Sequence, residues 1–199
     1  MTPDNPEKHR RSIRLREYDY TQPGAYFITV CAYRKQSLFG TITDGVVTLS
    51  RCGEIVRQCW LNLPRCFPSI ELDAFVVMPN HMHGTIMVTD GPVAYCEQGE
   101  AFPTRTDNKA QTRTGNASPL HTPHGTDPGS ICAIVQNFKS VSTRKVNRAN
   151  RTPGVPLWQR NYYEHVIRND HSLHEIRDYI EGNPCAWLRD EYNADTTWL

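Results

Sequence analysis

The run from Ile70 to Val88 constrains this chain more than any other stretch. Ile70 to Met78 is apolar and rich in β-branched residues, Pro79-Asn80 interrupts it, and His81 to Val88 resumes it. That pattern predicts two buried strands lying as antiparallel neighbours. In the second strand, alternation places His81, His83 and Thr85 on one face and Met82, Ile86 and Val88 on the other. Two imidazoles then project side by side from a rigid element, about 6 to 7 Å apart at the backbone. At that spacing two neutral ring nitrogens can converge on one divalent ion. A pair of half-exposed strand histidines would give the same pattern, so the spacing alone does not fix a metal site.

The rest of the chain supplies partners for this pair of strands. A Pro23-Gly24 turn signal precedes Tyr26 to Cys31, which has strand composition. Leu38 to Leu49 reads as a small hairpin around Asp44-Gly45. Ser50 can cap a helix whose Cys52, Val56, Cys59 and Leu63 recur at helical spacing until Pro64 closes it. From Ser130 onward, Ile131, Ile134, Val135, Phe138, Val141 and Val146 mark the buried face of a helix running to about Arg148. Pro153-Gly154 breaks the chain, and Leu157 to Ile167 has the aromatic content of a last strand. Ser172 and Glu175 form a capping box, predicting a final helix through Ile176, Tyr179 and Ile180 that Pro184 limits. Strand, helix, strand, strand, helix, strand, helix is the order of a split βαβ sheet with helices packed on one face.

With 199 residues the chain has length for one core, so one catalytic domain over 24–199 is expected behind a basic arm at 1–23. Residues 90–128 are rich in Gly, Pro, Thr, Asn and Asp with few aliphatics, and predict a mobile insertion. No run of eighteen apolar residues and no signal-peptide pattern occurs, which leads us to expect a cytoplasmic protein with no membrane partner. The seven cysteines are far apart and form no CxxC pair, so reduced packing thiols are expected. A net charge of +1 says nothing for or against nucleic acid, but basic residues cluster in two places. Arg10, Arg11, Arg14 and Arg16 crowd the N-terminus, and Lys139, Arg144 and Arg148 share the outer side of the helix after Ser130. Either cluster is a candidate DNA contact or an ordinary solvated surface.

Tyr179 and Asn183 are i and i+4 on the last helix, with a phenol and an amide on one face. MPNHMHGTIMV (Met78 to Val88), WQRNYYEHVIR (Trp158 to Arg168) and YIEGNP (Tyr179 to Pro184) together resemble the REP-associated tyrosine transposases. These are relatives of insertion-sequence transposases with one catalytic tyrosine and a His-hydrophobe-His (HUH) motif. RRSIRL from Arg10, QPGAYFITV from Gln22 and FKS from Phe138 add to the likeness, which spans nearly all of the chain outside 90–128.

The resemblance implies an α+β, ferredoxin-like and RRM-like antiparallel sheet, with the HUH motif on a central strand and the catalytic tyrosine on the C-terminal helix. It implies that His81, His83 and Asn183 hold Mg²⁺ or Mn²⁺, with Met82 as the hydrophobe between the histidines and Tyr179 as the nucleophile. Insertion-sequence relatives usually carry Gln where this chain has Asn183. The implied activity is a single-strand DNA endonuclease and strand transferase acting at hairpins, REP-like palindromes, through a 5′-phosphotyrosine, as monomer or homodimer. Tyr162 and Tyr163 lack the polar i+4 partner of Tyr179. Two other readings use the same residues: a noncatalytic module that grips a DNA hairpin, and a metal-dependent nuclease that uses water.

Overall fold

The computed structural model describes residues 18–90, 127, 129–189 and 192–193. The N-terminal cluster Arg10, Arg11, Arg14 and Arg16, and almost all of the 90–128 insertion, lie outside the described residues. In chain order the elements are β1 (Gly24–Cys31), β2 (Gly40–Thr43), β3 (Val46–Leu49), α1 (Arg51–Leu61), α2 (Leu63–Cys66), β4 (Ile70–Val77), β5 (His81–Val88), α3 (Ile131–Asn150), β6 (Tyr163–Ile167) and α4 (Asp170–Ala186). Strands β4, β5, β1 and β6 form a four-stranded sheet in that order, every neighbouring pair antiparallel. β2 and β3 form a separate hairpin whose turn residues Asp44 and Gly45 both take positive φ. This is the split βαβ arrangement that the element order predicts, with the histidine strand inside the sheet.

β5 is buried on both sides. Met82, Ile86 and Val88 join Tyr26, Ile28 and Val30 of β1 in the larger core cluster, beneath Val56 and Trp60 of α1 and Ile134, Val135 and Phe138 of α3. Each such side chain contributes about 1.5 to 3 kcal/mol by leaving water. Gly84 faces this cluster, and the Trp60 ring occupies the space where a β-carbon would be. The other side of the sheet carries a smaller cluster of Ala25, Phe27, Ile167 and Ile180, with Ala74, Val76, Leu173 and Ile176 against it. Thus α1 and α3 share one face, while α4 covers the opposite face, where the sequence reading had all helices together. The reason is the amphipathic stripe of α4, whose Ile176 and Ile180 have the histidine side of the sheet left to cover.

A break in the β4–β5 register between Leu72 and Phe75 changes which residues of β4 face α4. It turns Asp73 toward the helix, and Arg177 Nε donates to Asp73 Oδ2 at 2.8 Å.

Three helix boundaries differ from the sequence reading. Asn169, not Ser172, caps α4: its side chain accepts the Ser172 amide at 2.8 Å, so the helix starts earlier. Pro184 lies inside α4 and does not end it, because a proline this near the terminus forfeits one backbone bond and the Trp187 amide still reaches Pro184 O. Pro64 likewise sits in the first turn of α2, where a missing N–H costs nothing.

The last strand is shorter than Leu157 to Ile167. Before Tyr163 the chain pairs only through a bridge between Trp158 and Ala32. There the carbonyls of Gln159, Arg160 and Asn161 turn to the Lys139 ammonium, at 2.6, 2.9 and 3.3 Å. No disulfide joins the six described cysteines. Among the described residues no helix is long and apolar enough to cross a membrane.

Candidate active site

The first residues of β5 and the second half of α4 make the site. His81 and His83 are buried, at 0% and 1% exposure, so the half-exposed alternative does not hold. Their Nε2 atoms face each other at 3.0 Å. Asn80, next in sequence, sets the first ring. Its amide nitrogen donates to Lys35 O at 3.2 Å and Tyr192 O at 2.6 Å, which leaves Oδ1 to accept from His81 Nδ1 at 2.8 Å. His81 therefore carries its proton on Nδ1 and turns an unprotonated Nε2 toward His83.

His83 is held differently. Its Nδ1 lies 2.8 Å from Thr29 Oγ1, and a hydroxyl can donate or accept, so this ring is able to exchange tautomers. With a proton on Nε2 it donates to His81, and with the proton moved to Nδ1 it frees a second lone pair. Phe27 stacks on its ring at 5.4 Å.

Burial keeps both imidazoles neutral. His81 is pushed down to about 2, first by desolvation and then by His83 and Lys35, and His83 down to about 4 by desolvation. Neutral rings are the form that binds metal.

Helix α4 lays Tyr179, Asn183 and, just past its end, Trp187 along one face at successive turns. The Tyr179 hydroxyl is 3.3 Å from His83 Nε2, and the Trp187 ring is 6.1 Å from that of His81. Asn183 lies between them on that face, one turn from each. It is buried, and its side-chain oxygen has no hydrogen-bond partner. Tyr179 is 47% exposed, so the phenol sits at the mouth of the site with its oxygen turned inward.

This donor set fits a divalent cation. Two imidazole nitrogens converge, one unprotonated and the other able to become so, and the buried Asn183 amide oxygen lacks a donor. The groups offered are two neutral imidazoles and an amide; among the described residues no group of three or more His, Cys, Asp or Glu is placed to hold a metal. An ion held by neutral groups alone would keep its full charge for an approaching anion.

The site also contains residues to which sequence reasoning gave no role. Asn80 and Thr29 orient the rings, and the Tyr192 ring lies 4.7 Å from that of His81. Asn80 could have been found beside the histidines in MPNHMH, where it was read as a strand interruption. Tyr192 gave no signal, because its link to Asn80 spans 112 positions.

Of the other candidates, Tyr162 sits on the α3 side, its phenol pushed far up by burial and a bond to Cys132. Tyr163 is half exposed on the histidine side, edge-on to Phe27 at 6.3 Å. On α3, Arg144 and Arg148 are exposed, but Lys139 is held by three carbonyls and is not the exposed cation that the sequence reading expected.

No protein-family model matches the chain. An uncharacterized protein of Haemophilus influenzae is 37% identical over 188 residues, 94% of each chain. Among solved structures, a REP-associated tyrosine transposase bound to a REP hairpin aligns over 88% of this chain and 73% of its own, with TM-score 0.53 and 21% identity.

Proposed function

The chain belongs to one family with the Haemophilus influenzae protein and has the fold of the REP-associated tyrosine transposase, and from that premise we propose that it is itself such a transposase. Its substrate is single-stranded DNA beside a hairpin, which it cuts and rejoins through Tyr179. One observation carries the reading: the Tyr179 hydroxyl is 3.3 Å from His83 Nε2, which is 3.0 Å from His81 Nε2. A structural tyrosine has no need of two converging neutral imidazoles, and water-based hydrolysis gives a phenol at that position no work.

His81, His83 and Asn183 would hold Mg²⁺ or Mn²⁺. Bound there, the ion would act as Lewis acid and template for the scissile phosphate. The chain's own residues do the rest. Asn80 and Thr29 hold the two rings in line. Phe27 and Tyr192 exclude water from them. Tyr179 supplies the nucleophile from a half-exposed position, where its proton can leave to solvent. A bond forms between the Tyr179 oxygen and phosphorus as the bond from phosphorus to the 3′-oxygen breaks. The 3′-oxygen takes up a proton, and the 5′ end stays on the enzyme. Attack by another 3′-hydroxyl reverses the step, so strands are exchanged without a nucleotide cofactor.

The test is incubation with hairpin DNA carrying a single-stranded flank, with Mg²⁺ or Mn²⁺, then a denaturing gel. A protein–DNA adduct supports the reading. Cleavage without an adduct would favour the water-using nuclease, and binding without cleavage the noncatalytic module.

A further inference from the structure

Lys139 donates to three consecutive carbonyls, of Gln159, Arg160 and Asn161. Its ammonium is thereby spent on the backbone, and burial pushes it down to about 8. The result is that the segment before β6 is fastened to α3, with the Arg160 side chain left exposed beside Arg144. Between α3 and this segment runs an open groove of about 380 Å³, lined by both arginines, Ser140, Thr143 and Pro156 above Trp158. No carboxylate is among its lining residues. A cleft with cations and hydroxyls but no acidic group suits a chain of phosphates.

The groove stands at the same end of the sheet as the histidines. Trp158 bridges Ala32 just past β1, and the last residue of β1, Cys31, pairs with His81. The groove opens on the α3 side and the Tyr179 site on the α4 side, with edge strand β6 between them. Tyr163 begins that strand, 45% exposed, and it pairs with Thr29, the partner of His83. An exposed aromatic ring thus lies between the site and the two arginines.

We propose that a single-stranded DNA flank leaves the Tyr179 site across Tyr163, turns round the sheet edge and enters this groove, where Arg160 and Arg144 hold its phosphates. A base rests on the Tyr163 ring, since stacking on an aromatic suits any base. Lys139 is then a positioning residue for Arg160. The path rests on the DNA-processing function proposed above and adds to it where the strand goes.

The test measures anisotropy of labelled oligothymidine of about 20 nucleotides over a range of salt. R144A/R160A should weaken binding about tenfold and make the log–log salt slope shallower by about 1.4, at about 0.7 for each phosphate contact on a single strand. Y163A should weaken binding with the slope unchanged, because it removes stacking and no charge, and Y163F should restore it. A hairpin without a flank should bind R144A/R160A as it binds the natural protein. Wild-type affinity and slope in R144A/R160A, with R144E/R160E equally unaffected, would overturn the path. So would an equal loss on the flankless hairpin, which would assign the groove to duplex. Adduct formation by the natural protein, run in parallel, separates the two claims. An adduct with an unaltered slope sinks the groove alone, and an altered slope with no adduct sinks the catalytic reading alone.

Discussion

On one face of β5, Met82, Ile86 and Val88 are buried at 1%, 0% and 6% exposure; on the other, His81, His83 and Thr85 are buried at 0%, 1% and 0%. The two faces do not differ in how much water they exclude. They differ in what exclusion costs. The aliphatic face gains from every contact and needs only shape. The polar face must find a partner for each atom, and two fall short, since the Thr85 hydroxyl and the Asn183 amide oxygen have none. A buried polar atom without a partner costs about 1 to 3 kcal/mol. The aliphatic side carries such an atom too, the Trp60 indole nitrogen, but it belongs to α1; on β5 itself the cost falls on the polar face alone, at Thr85.

Substitutions at the polar face should break function and spare the fold. Tyr179→Phe keeps the ring and removes the nucleophilic oxygen, so adduct formation should fall by at least about a thousandfold on the scale of lost nucleophiles. His81→Ala and His83→Ala should do the same, all three with hairpin binding retained and melting temperatures near the natural value. A residual adduct in Tyr179→Phe that disappears in Tyr163→Phe would move the nucleophile to β6.

The aliphatic face should show the reverse. Ile86→Ala should cost about 2 to 5 kcal/mol in a urea melt, with adduct yield per folded molecule unchanged. Gly84→Ala should cost about 1 to 3 kcal/mol, because its methyl meets the Trp60 ring. Equal losses of activity and stability at both faces would erase the distinction between them.

Acid should act through the polar face. The unfolded chain protonates its histidines near pH 6.5, while the folded one resists down to about 4 at His83 and about 2 at His81. Their joint contribution is constant above pH 6.5. Below it, stability should fall by about 1.4 kcal/mol per pH unit for each histidine. Urea melts from pH 7 to 4 without added metal measure this, and His83→Gln should flatten the slope.

The smallest effect separates Thr85 from Asn183, the two unpartnered groups of the polar side. Thr85→Val replaces a buried hydroxyl by a methyl and should be neutral or stabilising by up to about 1 kcal/mol. Asn183→Leu should be similarly benign in a melt, yet weaken Mn²⁺ binding by calorimetry. Unchanged Mn²⁺ affinity there would remove Asn183 from the donor set.

Period and punctuation made much of this fold readable. The alternation in β5 placed its histidines and aliphatics on opposite faces, and Asp44-Gly45 marked its hairpin. Helix ends were less legible, because Asn169 and Ser172 are both good caps and only the backbone geometry distinguishes them. The side of the sheet that α4 covers was not legible either, since its stripe matches any apolar surface and the choice depends on which face α1 and α3 leave open. Lys139 looked like an outward cation because periodicity locates a side chain on a helix but not the loop that later crosses it. The orienting contacts of Asn80, Thr29 and Tyr192 depend on long-range closure, which local pattern does not encode.

The Trp60 ring against Gly84 has a consequence for the opposite side of the strand. A strand with histidines and aliphatics on alternate positions is wrong at every position if it slips by one. A β-carbon facing Trp60 would have to displace its ring, and Gly84 is the sole glycine in β5. The pair works as a key in a slot: an aromatic side chain with no chemistry of its own, on the far side of the sheet, indexes the strand and so decides where two imidazoles point.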